Sequence, residues 1–152
     1  MLRSMLISVV FFAPQCLTAA EKVSVTNYYV VNQEQVPAGE DVFWKEDNYG
    51  TYTVDEGPID PGFVRCVGSG FGGPSGVNGS GVCVYGENED TFTMRWEVVS
   101  FGFNKWHIVS STGKYSGMTG TGTTKTRVAS EYLAFPHRIS DWEGELTLPD
   151  GD

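Results

Sequence analysis

The chain has 152 residues, 40% of them hydrophobic and 13% aromatic, with nineteen acidic against ten basic side chains and a formal charge of −9. The basic residues are scattered and form no block, which excludes the electrostatic footprint of a nucleic-acid or anionic-membrane binder. The length sets one domain, large enough to bury about two-thirds of its unfolded surface, and the acidic excess reads as a solubility feature.

Residues 1–20 read as a secretory signal peptide: Arg3 supplies a positive start, Met5 to Ala13 is apolar, and small residues lead to cleavage after Ala20. The apolar run is about half of the ~20 residues that a bilayer span needs, so no membrane anchor is expected. The mature domain is then 21–152, with a charge of −10 once Arg3 is gone, in a secreted or periplasmic location. Only Cys66 and Cys83 remain in it. An even pair in an exported chain predicts a disulfide, closing a loop of about seventeen residues for roughly 3 kcal/mol of chain entropy.

Val23 to Asn32 reads as the first strand, ended by the polar stretch around Pro37 and Gly39. Phe43 and Trp44 are ambiguous, and Tyr49 to Asp55 is a second strand stopped by Gly57-Pro58 and Pro61-Gly62. Phe63 to Val67 and Gly81 to Tyr85 read as neighbouring arms tied by the cysteines across a glycine-rich loop, Gly68 to Gly79. Gly68, Gly70 and Gly73 match a dinucleotide-binding spacing, but Pro74, Gly76 and Gly79 forbid the helix that motif requires, so no cofactor is expected. Asn78-Gly79-Ser80 is an N-glycosylation sequon, meaningful in a eukaryotic secretory host.

Thr91 to Ser100 alternates, with Phe92, Met94, Trp96 and Val98 on one face and Thr93, Arg95 and Glu97 on the other. Asn104 to Thr112 sets Trp106 and Ile108 against Lys105 and His107, and a Thr/Gly return follows through Gly117, Gly120 and Gly122. Arg127 to Arg138 is less regular. Trp142 to Leu148 closes the pattern, with Trp142, Leu146 and Leu148 opposite Glu143 and Glu145. No mature segment sustains a helical period. The expected fold is all-β, a closed antiparallel barrel of about eight strands, with a two-sheet β-sandwich as the alternative.

Three features point to a family: Cys66 and Gly68 facing Gly81 and Cys83 around a glycine-rich segment, the acidic turn Gly86 to Asp90, and the Thr112 to Gly122 return. Together they resemble bacterial members of the allene oxide cyclase barrel-like superfamily, and plant dirigent proteins look similar at the same return. The resemblance implies an eight-stranded calycin-like barrel, often a homo-oligomer, with a cavity that holds an apolar substrate in the characterised plant members. It carries no catalytic residue onto this chain.

Residue chemistry adds little. No serine has the glycine spacing of a nucleophile elbow. His107 and His137 stand thirty residues apart without partners at ligand spacing, and both read as solvent-facing, so no metal site is expected. The acidic clusters Glu46 to Asn48 and Glu87 to Asp90 read as solvated turns, and Glu97, Glu143 and Glu145 fall on polar faces. Candidate ligand-binding residues are the inward set Phe92, Met94, Trp96, Trp106, Ile108 and Trp142, since a barrel of about eight strands either fills its interior or holds one small ligand. Three readings stay open. One is a barrel that binds a small apolar or aromatic molecule. The second is a cofactor-free isomerase or cyclase with Tyr29, Tyr115 or Arg95 in the cavity, and the third is a filled-core surface or interaction module.

Overall fold

The computed structural model describes residues 19–129 and 137–149. Nearly all of the segment read as a signal peptide (1–18) lies outside them, as do 130–136 of the stretch read as irregular and 150–152. The described residues form nine strands: β1 (Glu21–Val30), β2 (Gln33–Ala38), β3 (Asp41–Glu56), β4 (Gly62–Gly73), β5 (Gly76–Glu87), β6 (Asp90–Ser100), β7 (Phe103–Ser111), β8 (Thr119–Ala129) and β9 (His137–Thr147). Every pairing is antiparallel, in the order β1-β9-β8-β7-β6-β5-β4-β3-β2. β1 also pairs with β3, so eight strands close into a barrel and β2 stands outside the ring.

β1 and β2 pair with β3 in one continuous register, from Val25 opposite Val54 through Val30 opposite Tyr49 to Gln33 opposite Glu46. Asp47 N donates to Asn32 O across the break between them, at 2.9 Å. Because β1 alone also pairs with β9, the β2 half of this arm leaves the ring. With the distal parts of β3, β4 and β5 it makes a flap beyond one end of the barrel. β5 pairs with β6 only from Ser80, opposite Glu97, onward.

Several sequence expectations change here. The stretch around Pro37 is a strand, β2, tolerated because an edge strand need not use every backbone N–H. Phe43 and Trp44 lie inside β3. The glycine-rich segment is no loop, because β4 and β5 run through it to a turn at Pro74-Ser75. Its glycines meet as cross-strand pairs, Gly68 opposite Gly81 and Gly70 opposite Gly79, and indole rings occupy the space their side chains would take. Cys66 and Cys83 are therefore direct cross-strand neighbours and form the predicted disulfide, with Cα atoms 4.0 Å apart. The return after β7 is a short 3-10 turn, Gly113–Tyr115, that opens on left-handed Gly113 and is followed by left-handed Gly117.

Alternation along each strand sends one face inward, and one half of the barrel is filled by it. Tyr85 stacks on Phe92 with centroids 4.9 Å apart, and Trp142 meets both Tyr85 and Trp106 edge-on at 5.7 and 5.1 Å. Tyr52, Ile59, Tyr115, Met118 and Leu146 complete this plug. Such aromatic contacts contribute about 0.5–1.5 kcal/mol each beyond the area they bury.

Candidate functional site

The other half of the interior is open. The inward register of β1 runs Val23, Val25, Asn27, Tyr29, changing from apolar to polar toward the flap. β3 does the same, with Asn48, Glu46 and Trp44 following Tyr52 on one face. β9 contributes Ser140 and Arg138 beyond Trp142. Where these strands emerge beneath the flap they bound a recess of about 640 Å³, within the size range of small-molecule sites. One wall is the flap, carrying Val42, Trp44 and Val77, and the other is Trp96, Val98 and the lip at Phe101.

Trp44 and Trp96 form an aromatic platform, their planes 10° apart and their centroids 6.3 Å apart. Below it Arg138 Nη1 donates to Glu46 Oε2 at 2.8 Å, an ion pair whose side chains keep 24% and 9% of their exposure. Among the described residues these two are the only charged ones lining the recess. Deeper still lies a chamber of about 60 Å³, to which Glu46, Trp96 and Arg138 also belong.

The chamber is polar and tightly bonded. Asn27 Nδ2 donates to the Tyr85 hydroxyl at 3.2 Å, Asn32 N donates to Asn48 Oδ1 at 3.2 Å, and the Tyr29 hydroxyl donates to Cys66 Sγ at 3.2 Å. Asn27 Oδ1 is buried without a hydrogen-bond partner and belongs to the chamber wall. Burial pushes the Tyr29 phenol well above its ordinary range, reinforced by nearby Tyr85. Burial also pushes Tyr85 up to about 12, opposed by the amide of Asn27 that donates to its hydroxyl. Both phenols are therefore neutral hydrogen-bonding groups at physiological pH.

The six residues expected to bind a ligand divide between the two halves. Trp96 lines the recess and the chamber, and Met94 lines the chamber. Phe92, Trp106 and Trp142 are packed into the plug, and Ile108 is half-buried against it. Of the titratable candidates Tyr29 faces the chamber, whereas Tyr115 is buried in the plug with its hydroxyl accepting from Asp60 N at 3.0 Å. Arg95 is exposed on the outer wall beside Glu97, because its neighbours Met94 and Trp96 take the inward positions. His107 is exposed, while His137 is half-buried rather than solvent-facing, at the start of β9.

Glu46 is no solvated turn residue: it sits on the inward face of β3, paired with Arg138. Trp44, Glu46, Arg138, Asn27 and Asn48 line the candidate site and were missed by strand-by-strand reading. Their signal was period two, since each is an even number of residues from a buried member of its own strand. Among the described residues no three His, Cys, Asp or Glu side chains gather as metal ligands.

No protein-family model matches the chain, and no curated protein matches it. Among solved structures, the chain is similar to that of a pterocarpan synthase dirigent protein, at 14% sequence identity and a TM-score of 0.50 over 97% of each chain. At that identity the likeness is one of fold, a dirigent-like barrel.

Proposed function

We propose that this protein is an exported barrel that binds a small, flat, apolar or aromatic molecule at its open end. The observation that carries the reading is the recess of about 640 Å³ walled by Trp44 and Trp96 and floored by the Glu46–Arg138 pair. An aromatic platform with few polar groups at its base suits a ligand that stacks its body and bonds through one end. The ligand site is then Trp96 with Trp44, and the buried members of the expected set, Phe92, Trp106 and Trp142, support it from the plug. The buried Cys66–Cys83 disulfide and the dirigent-like fold are compatible with export to an oxidising compartment. Native mass spectrometry of protein secreted by its own leader and purified gently tests this directly. A small molecule released on denaturation, from a chain beginning at Glu21, is the expected result. A bare chain that also takes up no aromatic probe overturns it.

One observation favours a second reading, a cofactor-free isomerase or cyclase. Tyr29, Glu46 and Arg138 bring a neutral phenol, a carboxylate and a guanidinium to the wall of the chamber, and the last two also line the recess. These groups are able to hold a reactive molecule in one conformation and move a proton at it. Turnover of a co-purified compound that is lost in Tyr29→Phe supports this reading, and unchanged turnover in that variant opposes it.

A further inference from the structure

Glu46 gives the recess a preference of charge. Among the described residues the site has one cation and one anion, already paired with each other, and the guanidinium spends one N–H on the carboxylate. Arg138 alone, at the base of an apolar recess, would be a carboxylate receptor, since its planar fork matches that group. With Glu46 beside it and only 9% exposed, an incoming anion meets a like charge in a poorly solvated place. A hydroxyl meets no such penalty. It accepts from a remaining Arg138 N–H and donates to a Glu46 carboxylate oxygen or, in the chamber, to the unpartnered Asn27 Oδ1.

We infer that Glu46 is a specificity-determining residue that restricts the site to uncharged ligands, those whose apolar body ends in a group both donating and accepting hydrogen bonds, and that it bars aromatic and aliphatic carboxylates. This rests on the binding reading above and goes further, because an apolar recess alone would not distinguish an alcohol from the corresponding acid.

The test is calorimetric titration at neutral pH with two probes on one ring system, naphthalenemethanol and naphthoate. The wild-type protein should bind the alcohol at least about tenfold more tightly than the acid. Glu46→Gln, nearly isosteric, should free Arg138 and swing the preference toward naphthoate by about tenfold or more. Glu46→Gln with Arg138→Gln, which replaces the ion pair by two amides, should lose that gain for the acid. Equal wild-type affinities, or an unchanged preference in Glu46→Gln, overturns the inference while leaving the site intact. Failure of the wild type to bind either probe, or binding indifferent to Trp44→Ala, brings down the binding reading and this inference with it.

Discussion

Trp44 and Trp96, on strands separated by β4 and β5, stack nearly parallel, and the six-membered ring of each indole sits over a pair of glycines on those two strands. Trp96 covers Gly68 and Gly81, and Trp44 covers Gly70 and Gly79, so that a Cβ at any of the four would overlap an indole ring or the neighbouring backbone. Trp106 lies on Gly122 and Gly144 in the same way at the opposite side of the barrel. These six glycines are thus the complement of three tryptophans, a bare strip of sheet under Trp44, Trp96 and Trp106.

Alanine at Gly81 should therefore press on both the Val67 carbonyl and the Trp96 ring and destabilise the fold by about 1–3 kcal/mol, the usual range for overpacking. Gly72, on the same sheet, has open space where its side chain would be, and its alanine variant should be close to neutral. Urea denaturation of both variants checks the contrast, and equal effects would remove the packing explanation.

The disulfide predicts a second contrast. Cys66 and Cys83 keep only 4% and 5% of their exposure, so a soluble thiol reductant should leave the bond intact in the native protein and cleave it once the chain is unfolded. Its removal by Cys66→Ala with Cys83→Ala should cost roughly 3 kcal/mol, as for a closed loop of that length. Mass spectrometry after alkylation, with and without denaturant, reads the first part, and thermal denaturation reads the second.

Alkaline pH should unfold the barrel. Tyr29, Tyr52 and Tyr85 all have folded-state pKa values raised chiefly by burial. Their neutral forms are favoured in the fold, so the stabilisation is whole below the unfolded value near ~10 and is lost as pH rises toward the folded values. Between those limits the unfolded chain binds fewer protons, and stability should fall by about 1.4 kcal/mol per pH unit for each such tyrosine. Phenolate absorbance followed together with circular dichroism should show these residues ionising only as the fold is lost. Ionisation in a still-folded barrel would contradict the burial assigned to them.

The barrel was legible in the sequence wherever alternation was uniform. Phe92, Met94 and Trp96 declare the inner face of β6, and Trp142 with Leu146 that of β9. The glycine-rich stretch was not legible as strand, because glycine has no strand propensity and the tryptophans that require it lie on other strands. The site was hidden for a related reason. A polar residue on an inward register contradicts the rule that finds that register, so Asn27 is passed over inside the first strand, Glu46 and Asn48 look like a turn, and Arg138 looks like the end of an irregular stretch. They become a site only when closure brings β1, β3 and β9 side by side.

The most direct measurement uses the indole N–H signals of the four tryptophans, followed by nuclear magnetic resonance during titration with naphthalenemethanol. Binding at the open end should move the Trp44 and Trp96 signals saturably and together, and leave those of Trp106 and Trp142, deep in the plug, in place. No saturable shift, or a shift led by Trp106 and Trp142, would contradict a ligand site at the mouth of the barrel.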